Sequence, residues 1–113
     1  MNEGRSQIVL VRDERVGDDV HTLWAYLDRS GRLHIEGEDL GRGSASISSE
    51  GEYEWHETIA ATDVPKVVEL LGGSPDDDVL ALLEQNWSGE ASYDLEVKLH
   101  TSGLEIEREA WGA

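Results

Sequence analysis

Val20-His21-Thr22-Leu23-Trp24-Ala25-Tyr26-Leu27, then Asp28-Arg29-Ser30-Gly31-Arg32, then Leu33-His34-Ile35-Glu36-Gly37-Glu38 is the stretch that decides the fold. Leu23, Ala25 and Leu27 recur with period two, as do Leu33 and Ile35, which is the spacing of half-buried strands. The turn sets the register. A two-residue loop at Ser30-Gly31 would place Leu27 opposite His34 and Ala25 opposite Glu36. A three-residue loop, Arg29-Ser30-Gly31, places Leu27 opposite Leu33 and Ala25 opposite Ile35. Only the second joins apolar residues, and a slip of one residue would turn every side chain to the other face. It also puts Gly31 at the left-handed position of a type I turn with a bulge. The reading is a hairpin, Val20–Asp28 with Arg32–Glu38. Leu23, Ala25, Leu27, Leu33 and Ile35 line one face, and Trp24, Tyr26, His34 and Glu36 the other.

On the N-terminal side, Ile8-Val9-Leu10-Val11 is too short an apolar run for a helix and predicts a buried strand at Gln7–Arg12. Residues 13–19 are polar and read as a turn. On the C-terminal side, Glu38–Gly51 is rich in Gly and Ser, with Ile47 as its apolar anchor after Leu40, and reads as a loop or an irregular edge strand. Period two returns in Glu52–Ala60, a strand with Tyr53, Trp55, Glu57 and Ile59 against Glu54, His56 and Thr58.

Helical spacing follows. Thr62 is placed to cap a helix with Pro65 in its first turn, an apolar stripe of Val64, Val67, Val68 and Leu71, and a stop at Gly72-Gly73. Ser74-Pro75-Asp76-Asp77 predicts a second start, with a helix running to about Trp87. Residues 92–102 fit both an alternating strand and a helix face, and the cap at Ser92 and stop at Gly103 favour the helix. Leu104–Trp111 alternates again and predicts a closing strand. Strands, then helices, then one strand indicate an α+β fold: an antiparallel sheet of about four to five strands, with two or three helices inserted before the last strand and packed on one face.

At 113 residues the chain has the size of one domain, residues 1–113, with fraying expected at 1–6 and 112–113. There is no cysteine, which excludes disulfides, thiolate metal sites and a Cys nucleophile. The N-terminus lacks the layout of a signal peptide, so a cytoplasmic location is expected. Lys and Arg number 9 and Asp and Glu 25, a net charge of −16. Residues 1–42 carry nine acids and six bases, net −3, so residues 43–113 carry the remaining −13. Phosphate repels such a surface, so direct nucleic-acid binding and anionic membranes are not expected, whereas a basic protein partner is.

The run Glu52-Tyr53-Glu54-Trp55, with Ala61-Thr62-Asp63-Val64-Pro65, Leu70-Leu71-Gly72-Gly73 and Asp78-Val79-Leu80-Ala81-Leu82-Leu83, resembles small acidic proteins of actinobacteria, some of which, of this general build, serve as immunity proteins beside toxins. The resemblance covers under half the chain, implies a cytoplasmic bacterial α+β protein, and brings no catalytic residue with it.

The chemistry-bearing motifs are few. Histidines stand at 21, 34, 56 and 100 without His-x-x-x-His or His-Glu-x-x-His spacing. His34 with His56 and a glutamate across neighbouring strands is the conceivable metal set. Scattered histidines among so many acids often look clustered by chance, so no metal or cofactor is expected. Asp76-Asp77-Asp78 lacks the alternating ligands of a calcium loop and reads as acids favoured at a helix start. Gly37–Gly43 lacks the Lys-Ser/Thr of a phosphate loop, and no serine stands in a Gly-x-Ser-x-Gly elbow.

Glu50, Glu52, Glu54, Trp55, His56 and Glu57 form the expected partner-binding strand, with acids to steer a basic protein and aromatics to supply contact area. The competing reading puts Tyr53 and Trp55 in the core. The leading expectation is a non-enzymatic inhibitor or immunity protein that neutralises a basic partner such as a toxin. The alternatives are a nucleic-acid mimic that inhibits a DNA-binding protein, and a ligand-binding or enzymatic domain with a pocket near Trp24, Tyr26 and His34. The sequence leaves the oligomeric state open.

Overall fold

The computed structural model describes residues 7–41 and 52–112. Five strands form one sheet in the order β1 (Val9–Val16), β2 (Asp19–Leu27), β3 (Leu33–Leu40), β4 (Glu52–Ile59) and β5 (Ile106–Gly112), each antiparallel to its neighbour. Between β4 and β5 come a 3-10 turn at Ala61–Asp63 and three helices, α1 (Val64–Leu70), α2 (Val79–Asn86) and α3 (Ala91–His100). This is the α+β architecture expected, with the helices before the last strand. No helix among the described residues is long and apolar enough to cross a membrane.

The central hairpin has the expected register, with Leu27 opposite Leu33 and Ala25 opposite Ile35. Gly31 has φ 85°, and its N–H donates to the Asp28 carbonyl at 2.9 Å. The Asp28 carboxylate accepts from the backbone N–H of Ser30 and of Arg32, which closes the turn from inside.

The first strand differs from expectation. It continues through residues 13–16 and pairs with β2 across Gly17-Asp18, so Val16 faces Asp19. Gly17 has φ 61°, as a two-residue hairpin turn of type II′ requires at its first central position. The charges of residues 13–15 mark a solvated strand end. A bulge between Leu10 and Arg12 then turns both Val11 and Arg12 toward the helices. Arg12 is 5% exposed. Its guanidinium donates to Ser92 Oγ at 2.8 Å and to Glu96 at 2.5 Å, and lies over the Tyr93 ring, so it fastens α3 to β1.

The core lies between one sheet face and the helices. Leu23, Ala25, Leu33, Ile35 and Ile59 meet Val67, Val68, Leu71, Val79, Leu80, Leu83, Leu95 and Leu99, all buried. Trp55 joins them, its indole lying across Gly37, where any side chain would collide with the ring.

Helix starts are corrected by capping geometry. Asp63, not Thr62, is the residue before α1, and no side chain caps it. The second helix begins at Val79 rather than beside Ser74. Asp78 is extended at its N-cap and accepts from the N–H groups of Leu80 and Ala81. Ser74–Asp77 instead forms a turn in which Asp77 accepts from Ser74 N–H. Residues 91–100 are helical, and α3 ends before Gly103 at φ 83°. Glu38–Leu40 belong to β3 rather than to a loop, while the rest of that expected loop, residues 42–51, lies outside the described residues. Gly112, expected to fray, pairs opposite Tyr53, and residues 1–6 and 113 lie outside the description.

Candidate functional site

Alternation along the sheet decides which side chains reach solvent. On the face away from the helices, register brings Tyr26, His34, Thr58 and Glu107 into one row. Trp24, Glu36, His56 and Glu109 form the next row, and Thr22, Glu38 and Glu54 the third. Leu10 extends the second row onto β1, opposite Trp24, and is 51% exposed.

Trp24, Tyr26 and His34, the expected pocket residues, therefore do stand together. The Tyr26 and His34 rings stack at 4.7 Å with an interplanar angle of 3°. Glu36 joins them from β3. Its carboxylate accepts from Tyr26 Oη–H at 2.6 Å and from Trp24 Nε1–H at 3.1 Å. His56 joins from β4, with Nε2 2.8 Å from His34 Nδ1 and 3.4 Å from Glu36 Oε2. A cleft of about 290 Å³ opens beside them, lined by Trp24, Glu36, Glu38, Glu54 and His56, with the Gly37 and Trp55 positions beneath.

Proton positions in this cluster follow from Asp28. The bond from His34, foremost, and those from Arg32 hold the Asp28 carboxyl well below the usual carboxylate range, against the opposing effect of burial. An ionised carboxylate only accepts, so His34 Nε2, 2.8 Å away, carries a proton. In a neutral His34 ring, Nδ1 then presents a lone pair toward His56.

The expected partner-binding strand is divided by the same alternation. Glu54 and His56 lie on the face away from the helices. Trp55 at 6% and Glu57 at 2% exposure lie beneath the helices, out of a partner's reach. Trp55 is apolar surface that the core absorbs. Glu57 is held there by side chains from distant segments: His100 Nε2 at 2.6 Å and the Arg108 guanidinium at 3.8 Å, beside a cavity of about 280 Å³ lined also by Leu99, Leu104 and Ile106. Glu50 and the Glu52 side chain lie outside the described residues.

Sequence reading missed Glu36 as the hub of the cluster, although its face was assigned with the hairpin. It also missed Leu10, because the N-terminal strand was read as buried on both sides. The chain matches no protein-family model, no curated protein and no solved structure.

Proposed function

We propose that the protein is a non-enzymatic acidic binding protein. The sheet face away from its helices docks on a basic protein, as an inhibitor or immunity protein covers a cationic active site. One observation carries the reading: that face has an apolar and aromatic patch on β1 and β2, Leu10, Trp24 and Tyr26, with carboxylates beside it. Glu36, Glu38, Glu54, Glu107, Glu109 and Asp13 stand on it by register, with Arg15 at one end and Arg32, paired to Asp28 and beside Thr58 and Glu107, at the other. Aromatic anchors inside a charged border are the anatomy of a docking surface, with the anchors setting dissociation and the border setting association. The net charge of −16 favours a partner of opposite sign. The resemblance to small acidic actinobacterial proteins points the same way. Acids interrupted by rings and histidines suit a protein surface better than the regular double row that mimicry of a nucleic-acid backbone requires.

The test is photo-crosslinking in lysate of the source cell. A benzophenone amino acid replaces Thr22 or Thr58 on this face, or Val97 on the exposed side of α3. The reading expects a basic protein captured from the sheet positions and not from position 97. It further expects the purified partner to associate more slowly with Glu38→Lys and Glu54→Lys. Capture only from position 97, capture of acidic proteins, or no capture from the sheet would refute it.

A further inference from the structure

The three side chains at the centre of the exposed sheet face have the donor set of a transition-metal site. His34, Glu36 and His56 each offer one ligating atom, and these atoms lie within 4.8 Å of one another. Two imidazoles and a carboxylate suit a borderline divalent ion such as zinc, and a three-ligand set leaves a coordination position open to water or to another molecule.

Four features beyond proximity favour a site. The first is spacing. Ligands at ~2.0–2.1 Å from a tetrahedral zinc lie ~3.3 Å apart. The His34 Nδ1 to His56 Nε2 separation is 2.8 Å and the His56 Nε2 to Glu36 Oε2 separation 3.4 Å, so two of the three pairs stand close to that spacing and the third lies within 4.8 Å. The second is protonation. The bond to Asp28 puts a proton of His34 on Nε2, so in the neutral ring the Nδ1 lone pair is aimed into the cluster. His56 needs only its other tautomer, with the proton on Nδ1, to present Nε2 as well. The third is support for the carboxylate, since Tyr26 and Trp24 both donate to Glu36 and fix its plane. The fourth is burial. His34 is 9% exposed, while Glu36 and His56 keep about a quarter of their side-chain surface open, giving an anchored base and a route from solvent.

We propose that His34, Glu36 and His56 bind one divalent transition-metal ion, with Asp28 as the positioning residue for His34. The ligands come from adjacent β3 and β4, so the strand pairing that builds the sheet also builds the site. The proposal does not depend on the protein partner.

Calorimetric titration of the full chain with zinc chloride, together with the visible spectrum of its cobalt(II) complex, tests it. One ion should bind per chain with micromolar or tighter affinity, and cobalt should give the intense absorption of four- or five-coordination. His34→Ala and the near-isosteric His56→Gln should each lose more than the ~10–100-fold that removal of a supporting partner costs, and Asp28→Asn should fall within that range while keeping the cobalt spectrum. His21→Gln and His100→Gln should bind as wild type does. The wild-type spectrum needs no variant to fold. Weak, octahedral cobalt absorption, absence of binding, or affinity unchanged in His34→Ala and His56→Gln would overturn the proposal and assign any binding to surface carboxylates.

Discussion

Gly31 sits at φ 85° with only ordinary contact near its missing Cβ, the closest atom being Ala61 Cβ at 3.5 Å. The cost of a side chain there is conformational, so Gly31→Val should destabilise the domain by about 1–3 kcal/mol. A urea unfolding midpoint equal to wild type would contradict this. Trp55 is a different case: its burial places it in the core, and Trp55→Ala should cost about 3–5 kcal/mol of folding stability. Partner dissociation, measured where the variant remains folded, should be unchanged. The two residues also differ in how legible they were. Gly31 is determined by its neighbours in sequence, because turn chemistry and cross-strand pairing agree. Trp55 shares a parity with Ile59 and Glu57, and a glutamate in that row makes the face look solvated. Only His100 and Arg108, from α3 and β5, explain how a carboxylate is tolerated there, and no local pattern announces them.

At the scale of elements, the helix starts separate local signal from tertiary choice. Ser74-Pro75 is a good start motif, yet Asp78 provides the cap that α2 uses. Asp78→Ala should therefore cost about 1 kcal/mol in chemical denaturation, the usual value of an N-cap side chain, whereas Ser74→Ala should cost well under half of that. The reverse order would mean that the helix extends to Ser74. The apolar stripes of α1 and α2 were readable because their period is set by the face they bury. The length of β1 was not, since the charges of residues 13–15 mimic a loop, although Gly17-Asp18 carried the two-residue turn signal. The metal-competent set was legible only as a pairing. His34, Glu36 and His56 have no motif along the chain, but their register follows once β3 and β4 are aligned.

At the scale of the whole molecule, a charge of −16 on 113 residues opposes compaction through mutual repulsion. Salt screens such repulsion over ~8–10 Å at ~0.1–0.15 M. The melting temperature at pH 7 should rise between low and moderate salt, and a falling or flat temperature over that range would show the charges to be already compensated. The same charge that burdens the fold is what the proposed docking exploits. The most direct measurement is the association rate of the purified basic partner as a function of ionic strength, with dissociation of the Trp24→Ala variant followed alongside. The account predicts association near ~10⁸ M⁻¹s⁻¹ at low salt, falling toward the ~10⁵–10⁶ M⁻¹s⁻¹ of unsteered docking as salt rises, with Trp24→Ala speeding dissociation. A rate indifferent to salt, with dissociation unaltered by loss of Trp24, would contradict it.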